Sequence, residues 1–370
     1  MSHTATPVSV FLCGDVMTGR AIDQILPHPS KPALHESYMR DARGYLALAE
    51  QGGDIPHPAP FAYVWGDALA ELERRRLAAR IVNLETSVTR SDTAWPKGIN
   101  YRMHPGNVGC LAAAGIDCCA LANNHVLDWG RAGLSETLAT LRHAKIATSG
   151  AGADLDDAQT PAILPLGEGA RMLVFAAATD DSGVPPEWAA TAERAGVHRL
   201  PDLSKETVAR LVALVRRHRQ TGDRVVFSLH WGGNWGYAVS GAQRAFAHAL
   251  IDEVGVDIVY GHSSHHPKGI EIYQERPILY GCGDFLNDYE GIEGHEAFRG
   301  ELGLMYFPTL GASTGRLLAL ELVPTRIRHF RVNRAGGEDR AWLLDRLRRE
   351  CKVFGCEVEP GAKGAFVVHA

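Results

Sequence analysis

The chain has 370 residues, 45% of them apolar and 22% charged, which is the balance of a folded globular protein and excludes a disordered or fibrous one. A formal net charge of -5 and an isoelectric point near 6.4 argue against a nucleic-acid footprint. No stretch approaches the roughly 18 apolar residues of a membrane span, and Met1 to Pro7 carry no leader pattern, so the expected location is the cytoplasm.

In chain order, Val8–Cys13 is β-branched and apolar and is broken by Gly14. Residues 21–60, rich in Pro, His, Gly and Ala, read as a long irregular insertion. Phe61–Ala78 carries Trp65, Leu69 and Leu72 at near-helical spacing. Arg80–Leu84 is a short strand ending at Glu85, and Ile116–Ala122 another ending at Asn123. Ala132–Ala144 predicts a helix. Further strands are predicted over Arg171–Ala177, Arg224–Leu229, Asp257–Tyr260 and Ile278–Tyr280, with helices over Asp202–His218 and Gly241–Val254. Ser182–Pro201 reads as a loop of the length that often forms a lid or binding segment. Leu302–Phe307 and Arg316–Leu322 look like hairpin neighbours, Glu338–Cys351 an amphipathic helix, and Gly364–His369 a last strand. Strands alternating with helices predict an α/β architecture with mixed or doubled sheets.

The seven cysteines form no C-x-x-C pair and do not read as a disulfide framework. Cys118 and Cys119 fit a buried strand. Nothing beside Cys13 or Cys282 marks an activated thiol.

The chemistry lies where strands end. Gly14-Asp15, Asn83-Leu84-Glu85, Asn123-Asn124-His125, His230-Trp231-Gly232 and Gly261-His262 with His265 each place a metal-ligand side chain after an apolar run. Carboxylate and amide oxygens with imidazoles suit Mn, Fe or Zn better than a structural thiolate site does. Together they are the parts of a two-metal hydrolytic centre, in which paired ions activate water. Glu85 is the best bridging candidate. Asp128, three residues beyond His125, is placed to orient that imidazole. His125 changes charge near working pH, which suits a proton donor. Arg20, Lys97, Tyr101 and Arg102 are candidates to hold an anionic substrate, Arg through its bidentate fork. Trp235 and Tyr237 suggest a binding rim. Asp284 reads equally as an acid behind the site or as a turn residue.

These motifs, with Gly14–Arg20, Lys97 with Tyr101-Arg102, and Leu121–His125 with Asp128 and Gly130, resemble the CapA family of poly-γ-glutamate capsule synthesis, within the calcineurin-like metallophosphatase superfamily. The resemblance runs from about Val8 to Tyr289 and implies a four-layer α/β/β/α sandwich. It implies metal ligands at Asp15, Glu85, Asn124, His230, His262 and His265, one or two ions, and His125 at the catalytic-histidine position. Residues 1–325 are then one such domain with an insertion at 21–60, and 326–370 a helix-and-strand extension packed on it. Two departures stand out. Met17 occupies the position where superfamily phosphoesterases carry the His of D-x-H, and the N-terminal anchor of membrane-associated relatives is not visible. The expected function is a metal-dependent hydrolase of an anionic phosphoester or γ-glutamyl amide, with no nucleic-acid partner. An accessory role in poly-γ-glutamate synthesis and a ligand-binding relative without catalysis are the alternatives.

Overall fold

A computed structural model describes residues 7–167 and 170–370. Its layers follow from side-chain alternation. Along Val8–Cys13, Val8, Val10 and Leu12 enter one buried cluster, while Phe11 and Cys13 enter another. A strand apolar on both faces must be covered twice. The strand Ala170–Ala178 divides likewise: Met172 and Val174 join the cluster of Val10 and Leu12, and Leu173, Phe175 and Ala177 enter a third. The shared cluster therefore fills the space between two stacked sheets.

Among the described residues, one sheet has 11 strands and the other six. In the larger, Val8–Cys13 runs parallel to Ala79–Leu84 and antiparallel to Leu302–Leu310. Ala79–Leu84 also pairs in parallel with Cys118–Ala120, which pairs with Ala147–Ser149. In the smaller, Ala170–Ala178, Arg224–His230, Ile258–His262 and Arg276–Leu279 are parallel, with antiparallel edges at Ala162–Gly167 and Ile270–Tyr273. Helices cover both outer faces. Ile22, Leu72, Leu111, Leu134 and Leu141 pack over the larger sheet, and Leu211, Leu214, Val215 and Phe246 over the smaller. This is the four-layer α/β/β/α sandwich that the resemblance implies.

Local signals explain several boundaries. The Ser204 side chain accepts from Thr207 N and caps Lys205–His218, whose last turn is basic. Ser240 and Gln243 form a capping box at Gly241–Ala249. Two expectations need correction. Residues 21–60 are not irregular throughout: Arg20–Ile25 and Arg43–Ala49 are helices, and Tyr45, Ile55 and Ala59 lie in the core. The helix predicted over Phe61–Ala78 spans only Ala68–Glu73, because Gly66 adopts φ 45, outside the helical region.

The C-terminal part builds on the same core. Helix Gly337–Lys352 buries Leu343, Leu347 and Cys351 in the inter-sheet cluster. Phe366–His369 pairs with Leu317–Arg328, Phe366 opposite Leu322, so the larger sheet continues into the tail. All seven cysteines are free and buried. No described helix is long and apolar enough to cross a membrane.

Candidate metal centre

Parallel strands of both sheets end on one side of the sandwich, and their last residues converge there. Asp15 pairs in register with Asn83 and Asp284, and His230 with His262. Gly14 permits the crossing, through close approach and not through an unusual φ. A Cβ there would lie 2.1 Å from Gly283 O, and Asp15 N donates to that same oxygen at 2.8 Å.

A hydrogen-bonded chain links four of the motifs. Asn123 Nδ2 donates to Asn83 Oδ1 at 3.0 Å, and Asn83 Nδ2 donates to Asp15 Oδ1 at 2.8 Å. His262 Nδ1 donates to the same Asp15 oxygen at 2.6 Å. Carboxylates commonly orient metal-binding imidazoles in this way, leaving the far nitrogen free. Ser263, at φ 88, turns its N–H toward Asp15 Oδ2 at 3.3 Å. A non-glycine residue in that region stores strain, which the surrounding contacts must hold.

Asp15, Glu85 and His230 are buried and offer ligand atoms that all lie within 4.8 Å of one another. His230 Nε2 is 3.8 Å and His125 Nε2 3.9 Å from Glu85 Oε1. Burial raises the pKa of Asp15, but His262 outweighs it and the carboxylate is held well below its usual range. Burial, with Asp15 beside it, pushes Glu85 well above its usual range. Two dry carboxylates in contact need a proton or a cation between them. Burial also pushes the His230 pKa down to about 3, which keeps its imidazole neutral.

The orphaned atoms complete the picture. Glu85 Oε2, Asn124 Oδ1, His230 Nδ1 and His262 Nε2 are buried without a hydrogen-bond partner. Buried polar atoms are normally paired, and a cation held where Asp15, Glu85 and His230 converge would give ligand atoms there a partner. Carboxylate, amide and imidazole are the donor set of Mn, Fe or Zn. The residues present fit a divalent ion.

His125 sits beside this cluster. Its Nδ1 donates to Asp128 Oδ2 at 2.6 Å, which directs Nε2 toward Glu85. Burial lowers its pKa to about 4 although Asp128 pulls upward, so the resting ring is neutral and not the ready proton donor that the sequence suggested. Lys97 Nζ lies 2.7 Å from Asp128 Oδ1 and also donates to Asn124 O. Tyr101 N donates to Asp128 Oδ2 at 2.6 Å, and the Tyr101 ring centroid is 4.1 Å from that of His125.

The other sequence candidates stand apart. His265 Nδ1 faces Asp284 at 3.0 Å and its Nε2 faces Asn234 Nδ2 at 3.0 Å, so neither nitrogen is free for an ion. Arg20 is buried, with its fork spent on Asp288 and Glu36. Arg102 donates to Ser91 O, Asp92 and Lys31 O and lies over the Trp129 ring. Neither guanidinium is an open anion clamp. Sequence reasoning missed Asn83 as a positioning group, although it stands inside a recognised motif. It also missed Tyr289, whose hydroxyl meets Tyr101 OH at 2.7 Å and Met17 Sδ at 3.4 Å; no local pattern marks it. A groove of about 1260 Å³ is lined by Tyr101, Trp235, His265, Tyr289, His295 and Arg299 among others, of which Tyr101 lies beside His125.

Fold and site together define a four-layer α/β/β/α protein with a cluster of metal-ligand side chains at its strand ends. The chain belongs to the family described as bacterial capsule synthesis protein PGA_cap, whose model matches residues 9–289. It is 48% identical over 361 residues to a "probable polyglutamine synthesis accessory protein" of Mycobacterium tuberculosis, covering 97% of this chain and 95% of that one. It is 32% identical over 192 residues to the PGA biosynthesis protein CapA of Bacillus subtilis, covering 52% of this chain and 48% of the relative. A crystal structure of a novel phosphatase of Mycoplasma pneumoniae aligns over 86% of this chain and 93% of its own, at 12% identity and a TM-score of 0.45, a likeness too slight to carry an argument.

Proposed function

We propose that the chain is a metal-dependent hydrolase acting on an anionic phosphoester or γ-glutamyl-type amide. The observation that carries this reading is the convergence of Asp15, Glu85 and His230, whose ligand atoms lie within 4.8 Å of one another, with unpaired buried atoms on Glu85, Asn124, His230 and His262 at the same strand ends. Those residues would hold a divalent ion. Such an ion supplies Lewis-acid polarisation of a phosphoryl or carbonyl oxygen and makes water a stronger acid.

The protein's own groups supply the rest. Asp15 fixes the His262 ring, and Asn83 and Asn123 fix Asp15. Asp128 holds the His125 proton on Nδ1, which leaves the Nε2 lone pair toward the centre. There Nε2 takes a proton from attacking water and returns it to the leaving group, a general base that then serves as an acid. Lys97 pins the Asn124–His125 segment and is the one sequence-predicted cation that remains beside the centre. The substrate occupies the groove along Tyr101, Tyr289 and Trp235.

The full chain, loaded with Mn²⁺ or Zn²⁺, should hydrolyse either bis(p-nitrophenyl) phosphate or a γ-glutamyl anilide, and chelation should abolish turnover. An ion-loaded protein inert toward both chromogenic substrates would favour the second reading, an accessory role in poly-glutamate synthesis. The name carried by the 48% identical relative supports that second reading.

A further inference from the structure

We infer that the cavity beside helix Lys205–His218 is a second ligand site, apart from the strand-end cluster, and that it takes a small organic oxyanion with an apolar body. The inference does not depend on the metal reading. The cavity measures about 480 Å³ and lies between that helix, residues 198–201 and helix Leu155–Gln159. Small-molecule pockets commonly span about 300–1,000 Å³. The loop over Ser182–Pro201, whose length suggested a binding segment, ends at this cavity. Its last residues are fixed to the smaller sheet, since Ala178 N donates to His198 O at 3.0 Å and Leu200 N donates to Ala178 O at 2.8 Å.

The lining carries charge of one sign. Arg199, Arg210 and Arg217 line the cavity, and among the described residues no carboxylate does. Arg210 and Arg217 stand about two turns apart and share one face of the helix. Arg210 donates to Thr207 Oγ1 at 2.8 Å, and neither it nor Arg217 has an ion-pair partner among the described residues. Arg199 is anchored, through Nη2 to Asp180 at 2.5 Å and through Nε to Val184 O at 3.2 Å. Asp202, the acid whose charge reaches Arg210, accepts from Thr207 Oγ1 at 2.6 Å and from Ser204 N at 3.0 Å.

The other walls specify the rest of the ligand. Leu211 and Leu214 supply an apolar floor between the two arginines, and Leu155, 37% exposed, stands at the opening. His198 is only 4% exposed; its Nδ1 donates to Ala176 O at 3.1 Å, and its Nε2 has no hydrogen-bond partner in the protein. Burial lowers its pKa to about 4, so the ring is neutral and Nε2 is an acceptor. Buried polar atoms are normally paired, and a ligand N–H or O–H would complete this one. A guanidinium fork matches phosphate and carboxylate alike, so the oxyanion can be either.

Isothermal titration of the chelator-stripped full chain with phenylphosphonate and with phenylacetate tests the site, with no ion left to hold either probe at the strand-end cluster. Saturable binding at one probe per chain is expected, and the tighter probe separates a phosphate-type ligand from a carboxylate-type one. Arg210→Gln with Arg217→Gln should weaken binding by at least about tenfold, the share that hydrogen bonds to charged groups carry. Lys205→Gln with Arg216→Gln removes the same charge from the same helix outside the cavity and should leave binding nearly unchanged. A crystal soaked with phenylphosphonate should show the probe between Arg210 and Arg217, which decides the matter even if a double variant fails to fold. No binding of either probe, equal losses in the two double variants, or probe density only elsewhere would overturn the inference.

Discussion

Arg20 separates a structural account of the site from a substrate-binding one. Its side chain is 1% exposed, and those of its partners Glu36 and Asp288 are 0% and 3% exposed. The guanidinium donates through Nε and Nη2 to Asp288 at 3.1 and 2.5 Å and through Nη1 to Glu36 at 2.8 Å. It lies 4.1 Å from the Tyr45 ring centroid and 4.8 Å from that of Tyr101. Arg20→Ala therefore strands two buried carboxylates and removes the packing under Tyr101. Breaking one buried ion pair by deleting a partner costs about 3–5 kcal/mol, and two carboxylates put this variant toward the upper end. Urea unfolding at pH 7, followed by far-ultraviolet circular dichroism, reads the loss as a lowered midpoint. Arg20→Met with Glu36→Gln and Asp288→Asn should recover part of it, since the stranded charges are gone. A variant as stable as wild type, altered only in KM for an anionic substrate, would refute this reasoning and return Arg20 to the role the sequence suggested.

Other outcomes follow from the same contacts. Asp128→Asn should keep metal content but lower kcat by roughly 10²-fold, because the His125 proton is no longer held on Nδ1; an unchanged kcat would remove His125 from the reaction. Arg102→Ala should leave KM unchanged and cost about 1–2 kcal/mol of stability in denaturant titration, since its fork is spent on Ser91 O, Asp92 and Lys31 O. Glu71 lies among Arg74, Arg75 and Arg334; burial raises its pKa, but these guanidinium groups outweigh it and hold the carboxylate below its usual range. Its contribution is thus present above the unfolded value of about 4.3 and is lost as pH falls through the lower folded value. The stability gap between wild type and Glu71→Gln should be open at pH 7 and close as pH falls below about 4, as measured by denaturant midpoints.

Much of the architecture was legible because strands buried on both faces read as unbroken apolar runs. Val8–Cys13, Arg224–His230 and Ile258–His262 are largely apolar in this way, and the chemistry sits at Asp15 just beyond the first and on His230 and His262 at the ends of the other two. The antiparallel edge strands Ala162–Gly167 and Ile270–Tyr273 carry a weaker signal, since Pro165 and Glu271 interrupt their apolar pattern. At the site, residue type and order pointed to the cluster of Asp15, Glu85 and His230. What a side chain does with its second atom was not legible. His262 and His265 look alike in sequence, yet one keeps a free nitrogen and the other has both engaged. Arg20 and Arg102 carry the charge of a clamp, but partners distant in sequence, Asp288 and Lys31, consume it. Such pairings depend on the tertiary fold and leave no local trace.

The central claim is that the converging strand ends form a cation site. Isothermal titration of the chelator-stripped full chain with Mn²⁺ or Zn²⁺ tests it most directly, alongside Glu85→Gln. Saturable binding by wild type, accompanied by a rise in unfolding temperature, is the predicted result. Glu85→Gln, which keeps the shape but removes the charge beside Asp15, should bind far more weakly. Wild-type protein that takes up no ion, or a Glu85→Gln variant that binds as tightly as wild type, would contradict the account.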